Sequence, residues 1–427
     1  MSSFTSIFAD IPQAERVTNP SSRWEVPGLV AEEFQTPQAE LLVHAAHRVA
    51  RRSSAGKDID ALVSARNAAL QKPRSWHHNP RGDFFEWREE MRSRLKATLV
   101  IPESLGADSA PEVKERVVHE DYIEELVEIT LTPPLRSTAI VTIPKNGRSR
   151  HPALVLLHSF GTLNLYGKEK LLHRDGEPGY LTAYRRECYG GRSLLADFAR
   201  QGYLCLAIDS FGFGERTKLA GDDPAAFRQH RLRLDQAGAE ALSMEIFKTE
   251  YEQAARALGA VGLTIAALTA TDDLRSVDYL AGRPDVDPAR IGCAGLSLGA
   301  FRVNYLASLD DRVKAAVSVC WLSTLNGVVD YNLPSSLGFF ALPGDLYRDY
   351  DMVDICLAAA PKPFLAISGW RDILMEPFGM VAAHLSLRRA WETAGHPSNV
   401  GSLVFDAPHE FNVSMQERAS EFLRLVL

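Results

Sequence analysis

Cysteine is scarce in this chain of 427 residues, and the five present (Cys188, Cys205, Cys293, Cys320, Cys356) form no C-x-x-C pair. Scattered and odd in number, they suit buried free thiols in a reducing compartment. No apolar run approaches the roughly 18 residues that span a bilayer, so no membrane role is expected. The opening MSSFTSIFADIPQAER lacks the basic-then-apolar order of a secretory signal, which makes the cytoplasm the expected location. Positive charge is also short: 47 Lys and Arg against 54 Asp and Glu give a formal net charge of −7. A nucleic-acid binder usually carries a basic stripe, so none is expected as a partner. There is no P-loop, and no G-x-G-x-x-G opens a helix after a strand, so no nucleotide cofactor is implied. His77 and His78 are adjacent, which sends their side chains apart, and no carboxylate or cysteine pattern accompanies them. No metal is expected there. Internal repeats and low-complexity tracts are absent from the sequence.

What is present is an ordinary globular balance, 46% hydrophobic and 24% charged, in a length that suits one large α/β domain with an added layer. Residues 1–115 read as a helical N-terminal segment packed on the core. TPQAELLVHAAHRVARRSSAGKDIDALVSARNAALQ spaces its apolar residues at three and four, as two amphipathic helices do. DFFEWREEMRSRLKATLVIP reads as a third, ended before Pro102.

Residues 116–427 read as the main α/β domain. YIEELVEITLT and RSTAIVTIPK alternate as an antiparallel strand pair. The short apolar runs ALVLLH, YLCLAID, RIGCAG, AAVSVCW, FLAISG and SLVFDA follow, separated by helical stretches. Runs of that kind indicate parallel strands buried on both faces. The intervening helices are placed at 191–201, one long helix around 239–280, 298–308, 375–395 and a last one at 412–427.

Ser297 stands at the junction of RIGCAG and LGAFRVNYLASL, inside the pentapeptide G-L-S-L-G. A serine on so sharp a strand-to-helix turn holds strained backbone angles, and side chains at 295 and 299 would collide with their neighbours. The turn also sets the Leu298 amide and the positive end of the helix beside Oγ, where an oxyanion would form. A serine nucleophile needs a base, and the base an orienting acid. Of twelve histidines only His384, His396 and His409 follow Ser297; the first lies in a helical pattern and the second in a polar loop. His409 follows the last apolar run directly and is assigned as the base. Asp372, three residues after Gly369, is assigned as the acid, with Glu376 as its competitor one turn into the next helix. The second oxyanion donor is placed at the Phe160 amide, in the loop His158-Ser159-Phe160-Gly161, with His158 bracing that loop.

These residues resemble the α/β-hydrolase superfamily, and within it the dienelactone hydrolase, acetyl xylan esterase and prolyl oligopeptidase branch. LRSVDYLAGRPDVDPARIGCAGLSLGA is similar to that branch's approach to its nucleophile, and GYLCLAIDSFGFGER and SGWRDILMEP to two of its later loops. FFEWREEMRSRLKATLVIP resembles the helical leader of bacterial acetyl xylan esterase-like hydrolases. The resemblance implies an α/β-hydrolase fold and a serine carboxylesterase or acetyl esterase acting on a small-molecule ester, with a homodimer as the assembly to consider. A peptidase, or a hydrolase of amide or C–C bonds, would use the same three residues. A non-catalytic binding protein of this fold is the reading from another class. The chain departs from the commoner H-G-x-G at the oxyanion loop, where Ser159 replaces a glycine. The segments 162–190 and 326–350 are assigned as pocket walls or lids. The charged residues Lys168, Lys170, Arg174, Arg185 and Arg186 are read as a solvated loop.

Overall fold

A computed structural model describes residues 57–101, 109–161, 163–217, 220–221, 223–329 and 338–427. The first of the two helices expected in 36–71 falls mostly outside the described residues, as do positions 330–337 of the second wall segment. The second helix is α1 (Lys57–Ala69), and the third is α2 (Phe84–Leu99). Asp83 caps α2, its side chain accepting from the amides of Phe85 and Glu86. Phe84, Trp87, Met91, Leu95 and Leu99 recur at helical spacing and are all buried.

Nine strands follow among the described residues: β1 (Glu112–Val118), β2 (Tyr122–Thr130), β3 (Arg136–Pro144), β4 (His151–Leu157), β5 (Leu204–Ile208), β6 (Val286–Leu296), β7 (Val313–Val319), β8 (Phe364–Gly369) and β9 (Val400–Phe405). They form one sheet in the order β1-β2-β3-β5-β4-β6-β7-β8-β9. From β5 to β9 every pairing is parallel, while β1, β2 and β3 join antiparallel to each other and β3 antiparallel to β5. The sheet is thus mostly parallel, as the apolar runs predict. β1 was not foreseen: all seven of its residues are exposed, so its sequence EVKERVV carries no buried face to read.

Between β4 and β5 lie α3 (Gly179–Tyr189) and α4 (Leu194–Arg200). Between β5 and β6 lie α5 (Pro224–Leu232), α6 (Gln236–Glu245), α7 (Glu252–Ala260) and α8 (Ile265–Ala281). The stretch 239–280, read as one helix, is therefore three. A π-helical turn at Ile246–Tyr251 joins α6 to α7, and α8 starts afresh at Thr264, whose hydroxyl caps the Ala267 amide. The two arms meet at 93°. The helical period continues through the break, and the turn at 261–264 is what sequence periodicity overlooks. The longer helices that remain among the described residues are α9 (Leu298–Leu309), α10 (Pro377–Thr393) and α11 (Val413–Val426), with single short turns of helix at Leu325–Val329 and Asp354–Leu357. No single helix among the described residues is long and apolar enough to cross a membrane.

Strand residues alternate between two cores. Ala153, Val155, Leu157, Ile291, Cys293, Phe364 and Ala366 pack with α2, α8, α9 and α10. Leu154, Leu156, Ala294, Leu296, Leu365 and Ile367 pack with α4 and α11. Burial on both faces is what makes these strands near-continuous apolar runs. Their carboxyl ends open onto the loops that carry the candidate site.

Candidate active site

Ser297 is the residue between β6 and α9, with φ 60° and ψ −117°. Its amide donates to the Val319 carbonyl at 2.8 Å, which ties the turn to the end of β7. A Cβ at Gly295 would come within 2.5 Å of the Gly299 carbonyl carbon, and one at Gly299 would overlap the Leu157 carbonyl oxygen. The elbow closes only with glycine at both places. Leu298 opens α9, so its amide has no acceptor within the helix.

Asp372 and His409 meet. The carboxylate Oδ2 lies 2.6 Å from His409 Nδ1, and Oδ1 accepts from the Leu374 amide at 2.9 Å. The loops after β8 and β9 are laced together: the Trp370 amide donates to Phe405 O at 2.7 Å and that of Arg371 to Ala407 O at 2.9 Å. Gly369 permits this, since a Cβ there would lie 2.5 Å from the carbonyl oxygens of Ala407 and Pro408. The Asp372 side chain is only 2% exposed. At the other end of the imidazole, His409 Nε2 is buried and has no hydrogen-bond partner among the described residues. Ser297 Oγ and His409 Nε2 are not hydrogen-bonded to each other.

The other candidates are engaged elsewhere. Glu376 caps α10, accepting from the Gly379 amide at 2.6 Å. His384 bonds Ser402 Oγ at 2.7 Å and Ser368 Oγ at 2.9 Å, and burial lowers its pKa to about 3. His77 meets Ser386 Oγ at 2.5 Å and His78 meets Asp351 at 3.0 Å, yet the adjacent side chains do not diverge as expected: their ring centroids lie 4.6 Å apart, edge to face. The sequence did not suggest Cys320, whose sulfur, a carboxylate oxygen of Asp372 and a nitrogen of His409 lie within 4.8 Å of one another. Burial, and next the charge of Asp372, push this thiol well up, so it stays protonated near neutrality. Its sulfur contacts the Glu410 carbonyl at 3.5 Å.

The loop 158–161, where the second oxyanion donor is expected, is held from behind. His158 is fully buried; burial, then the charges of Arg302 and Lys170, keep it neutral. Its Nε2 accepts from the Ser210 amide at 3.0 Å, so the proton sits on Nδ1 and is donated to Ser159 O at 2.9 Å. Ser159, the departure from glycine, is caught by two tyrosines of α3. Its Oγ lies 2.6 Å from Tyr184 Oη and 2.8 Å from Tyr189 Oη, and its amide donates to Tyr189 Oη at 3.0 Å. A hydroxyl where glycine is commoner was the one sequence signal of this network.

The solvated reading of the charged loop needs correction. Lys168, Lys170 and Arg185 are buried, while Arg174 is half-buried and Arg186 exposed. Lys168 Nζ lies 2.6 Å from Asp209, 3.7 Å from Glu215 and 3.8 Å from Glu169. Burial alone would lower its pKa, but these three carboxylates raise it. Arg231 pairs with Glu169, and Arg185 with Glu177. The charges face inward because carboxylates from distant segments, Asp209 and Glu215 after β5, wait for them there.

Around the half-buried Phe160 stand Phe213 at 5.0 Å, Phe247 at 5.6 Å and Phe340 at 5.7 Å between ring centroids. Phe340 comes from the segment 326–350, and Phe247 from the π-helical turn, so three separate segments close an apolar wall over the loop that carries Phe160.

The sequence pattern of the Abhydrolase family matches residues 62–415. A Bacillus subtilis (strain 168) protein named as a hydrolase, YtaP, is 26% identical over 261 residues, covering 61% of this chain and 74% of that one. Among solved structures, one named as an acetyl xylan esterase from Bacteroides fragilis NCTC 9343 superposes with a TM-score of 0.61 at 20% identity, covering 83% of each chain. A glucuronoyl esterase from Solibacter usitatus does so with a TM-score of 0.55 at 15% identity, over 81% of this chain and 94% of that one. Both structures share the fold described above. With the family pattern running from α1 into α11, the chain belongs to the Abhydrolase family, within the α/β-hydrolase superfamily.

Proposed function

We propose that the protein is a serine hydrolase that cleaves carboxylic esters through an acyl-enzyme. His409, oriented by Asp372, takes the proton of Ser297 as Oγ attacks the ester carbonyl. The amides of Leu298 and Phe160 receive the oxyanion, and the alcohol leaves with the proton from His409. Water then enters, gives its proton to His409, and releases the acid. The observation that carries this reading is the state of His409: one nitrogen bound to a buried carboxylate, the other buried and unpartnered among the described residues. A neutral imidazole so held presents a lone pair to an incoming proton. The ester preference draws on relatives named as esterases and on the apolar wall at Phe160.

The test is direct. A fluorophosphonate should label Ser297, and Ser297→Ala should lose both the label and the hydrolysis of p-nitrophenyl acetate while keeping the fold. Loss of a triad member typically removes several orders of magnitude in rate. Retention of more than about a tenth of wild-type turnover would assign the nucleophile elsewhere.

A further inference from the structure

We propose that Lys170 is a positioning residue for the oxyanion hole, its amino group gripping the carbonyls of Ser159 and Phe160 so that the Phe160 amide is aimed at the ester oxygen. The inference rests on the serine-hydrolase reading given above.

Lys170 is fully buried, yet no carboxylate lies within ion-pair distance of it among the described residues. Its neighbour Lys168 has three. Lys170 Nζ instead donates to Phe160 O at 2.6 Å and to Ser159 O at 3.3 Å, over the ring faces of Phe213 at 4.8 Å and Tyr184 at 5.1 Å. Two consecutive peptide planes are thus held by their oxygens on one atom. In a trans peptide the N–H points away from the C=O, so the grip on Ser159 O turns the Phe160 amide to the side opposite Lys170. His158 adds a second donor to the same oxygen. The Phe160 amide donates to no partner among the described residues, whereas the Ser159 amide is taken by Tyr189. Hydrogen bonds to a carbonyl also polarise the N–H of the same peptide, which strengthens it as a donor.

Burial lowers Lys170 to about 7, opposed by Cys188, Asp209 and Glu169. The titratable groups facing it are His158 beyond β4, Tyr184 and Cys188 on α3, Asp209 beyond β5 and Glu169 on its own turn. Ammonium or amine, it keeps N–H donors for both carbonyls. Only its charge is lost as pH rises through about 7.

The experiment compares Lys170→Met, Lys170→Gln and Lys170→Arg in the full chain. Removing one oxyanion donor outright costs about 10²–10³ in kcat, so a donor left in place but poorly aimed should cost about 10–10². Lys170→Met should show that loss with KM for p-nitrophenyl acetate changed by less than about threefold. Gln and Arg, which keep N–H donors, should recover part of it. The inhibition constant of a trifluoromethyl ketone, whose adduct places an oxyanion in the hole, should rise by the same factor as kcat falls. A merely structural role would not link these two readouts. Lys170→Met with wild-type kcat, in a protein where Ser297 is labelled and Ser297→Ala is inactive, would overturn the inference while leaving the nucleophile in place. A fall in kcat with an unchanged ketone constant would overturn it equally. Failure of all three variants to fold would assign Lys170 to stability alone, and an active Ser297→Ala would remove both proposals together.

Discussion

The Leu157 carbonyl oxygen occupies the space where a side chain at residue 299 would go. Gly299→Ala should therefore force β4 and α9 apart and cost at least about 3 kcal/mol, seen as lower soluble yield and a lower urea midpoint. An unchanged midpoint would mean that the elbow can relax. Asp372 and Glu376, four residues apart, should separate by function. Asp372→Asn deprives the Nδ1 proton of His409 of its carboxylate, and comparable replacements cost roughly 10⁴ in rate. Glu376→Gln keeps an oxygen for the Gly379 amide and should change kcat/KM little. The reverse ranking on one substrate would move the acid to Glu376. The candidates Ser297, Asp372 and His409 stand out in the sequence because each lies just beyond a short apolar run. Lys170 could not, because nothing local distinguishes a lysine that meets carbonyls from one that meets water.

Elements were legible to the degree that they bury a face. α2 announces itself through Phe84, Trp87, Met91, Leu95 and Leu99, and β4 to β9 through short, near-continuous apolar runs. β1 has no such face, and the bend before α8 interrupts the chain without interrupting its period. The link between the N-terminal segment and the turn at 351–354 is polar and was equally silent. There Asp354 accepts from the amides of His77 at 3.0 Å and Asp351 at 2.8 Å. Burial, and next the charge of Asp351, raise Asp354 to about 7. The folded state thus holds this proton more tightly than the unfolded chain does. Its stabilisation is complete below about pH 4 and is lost as pH rises through about 7. Asp354→Asn should flatten the decline of melting temperature across that window. A variant with the wild-type slope would show that another group sets it.

At the scale of the molecule, α2 lies across α8 and α9, and Arg92 on it reaches Asp311 with two hydrogen bonds at 2.8 and 2.9 Å. A chain begun at Pro111 would bare Trp87's former partners and the apolar backs of both helices. It should aggregate or melt at a lower temperature, whereas turnover per folded molecule should persist. A truncation that melts like the full chain yet has lost turnover would show instead that the N-terminal segment builds the substrate site.

β1 gives the whole particle a colloidal character. It ends the sheet with three exposed valines, Val113, Val117 and Val118, on a strand whose outer edge no other described strand pairs. Such an edge is a template on which another molecule's backbone can zip. What stands in the way is charge: Glu112, Lys114, Glu115 and Arg116 fill the positions between, with Lys114 held to Glu112 at 2.7 Å and Arg116 to Glu125 at 3.5 Å. Lys114→Val with Arg116→Val would leave the loops of the candidate site untouched and make five of the strand's seven residues valine. Light scattering should then grow steeply with concentration at unchanged turnover per monomer, because those two cations keep neighbouring molecules from continuing one another's sheets.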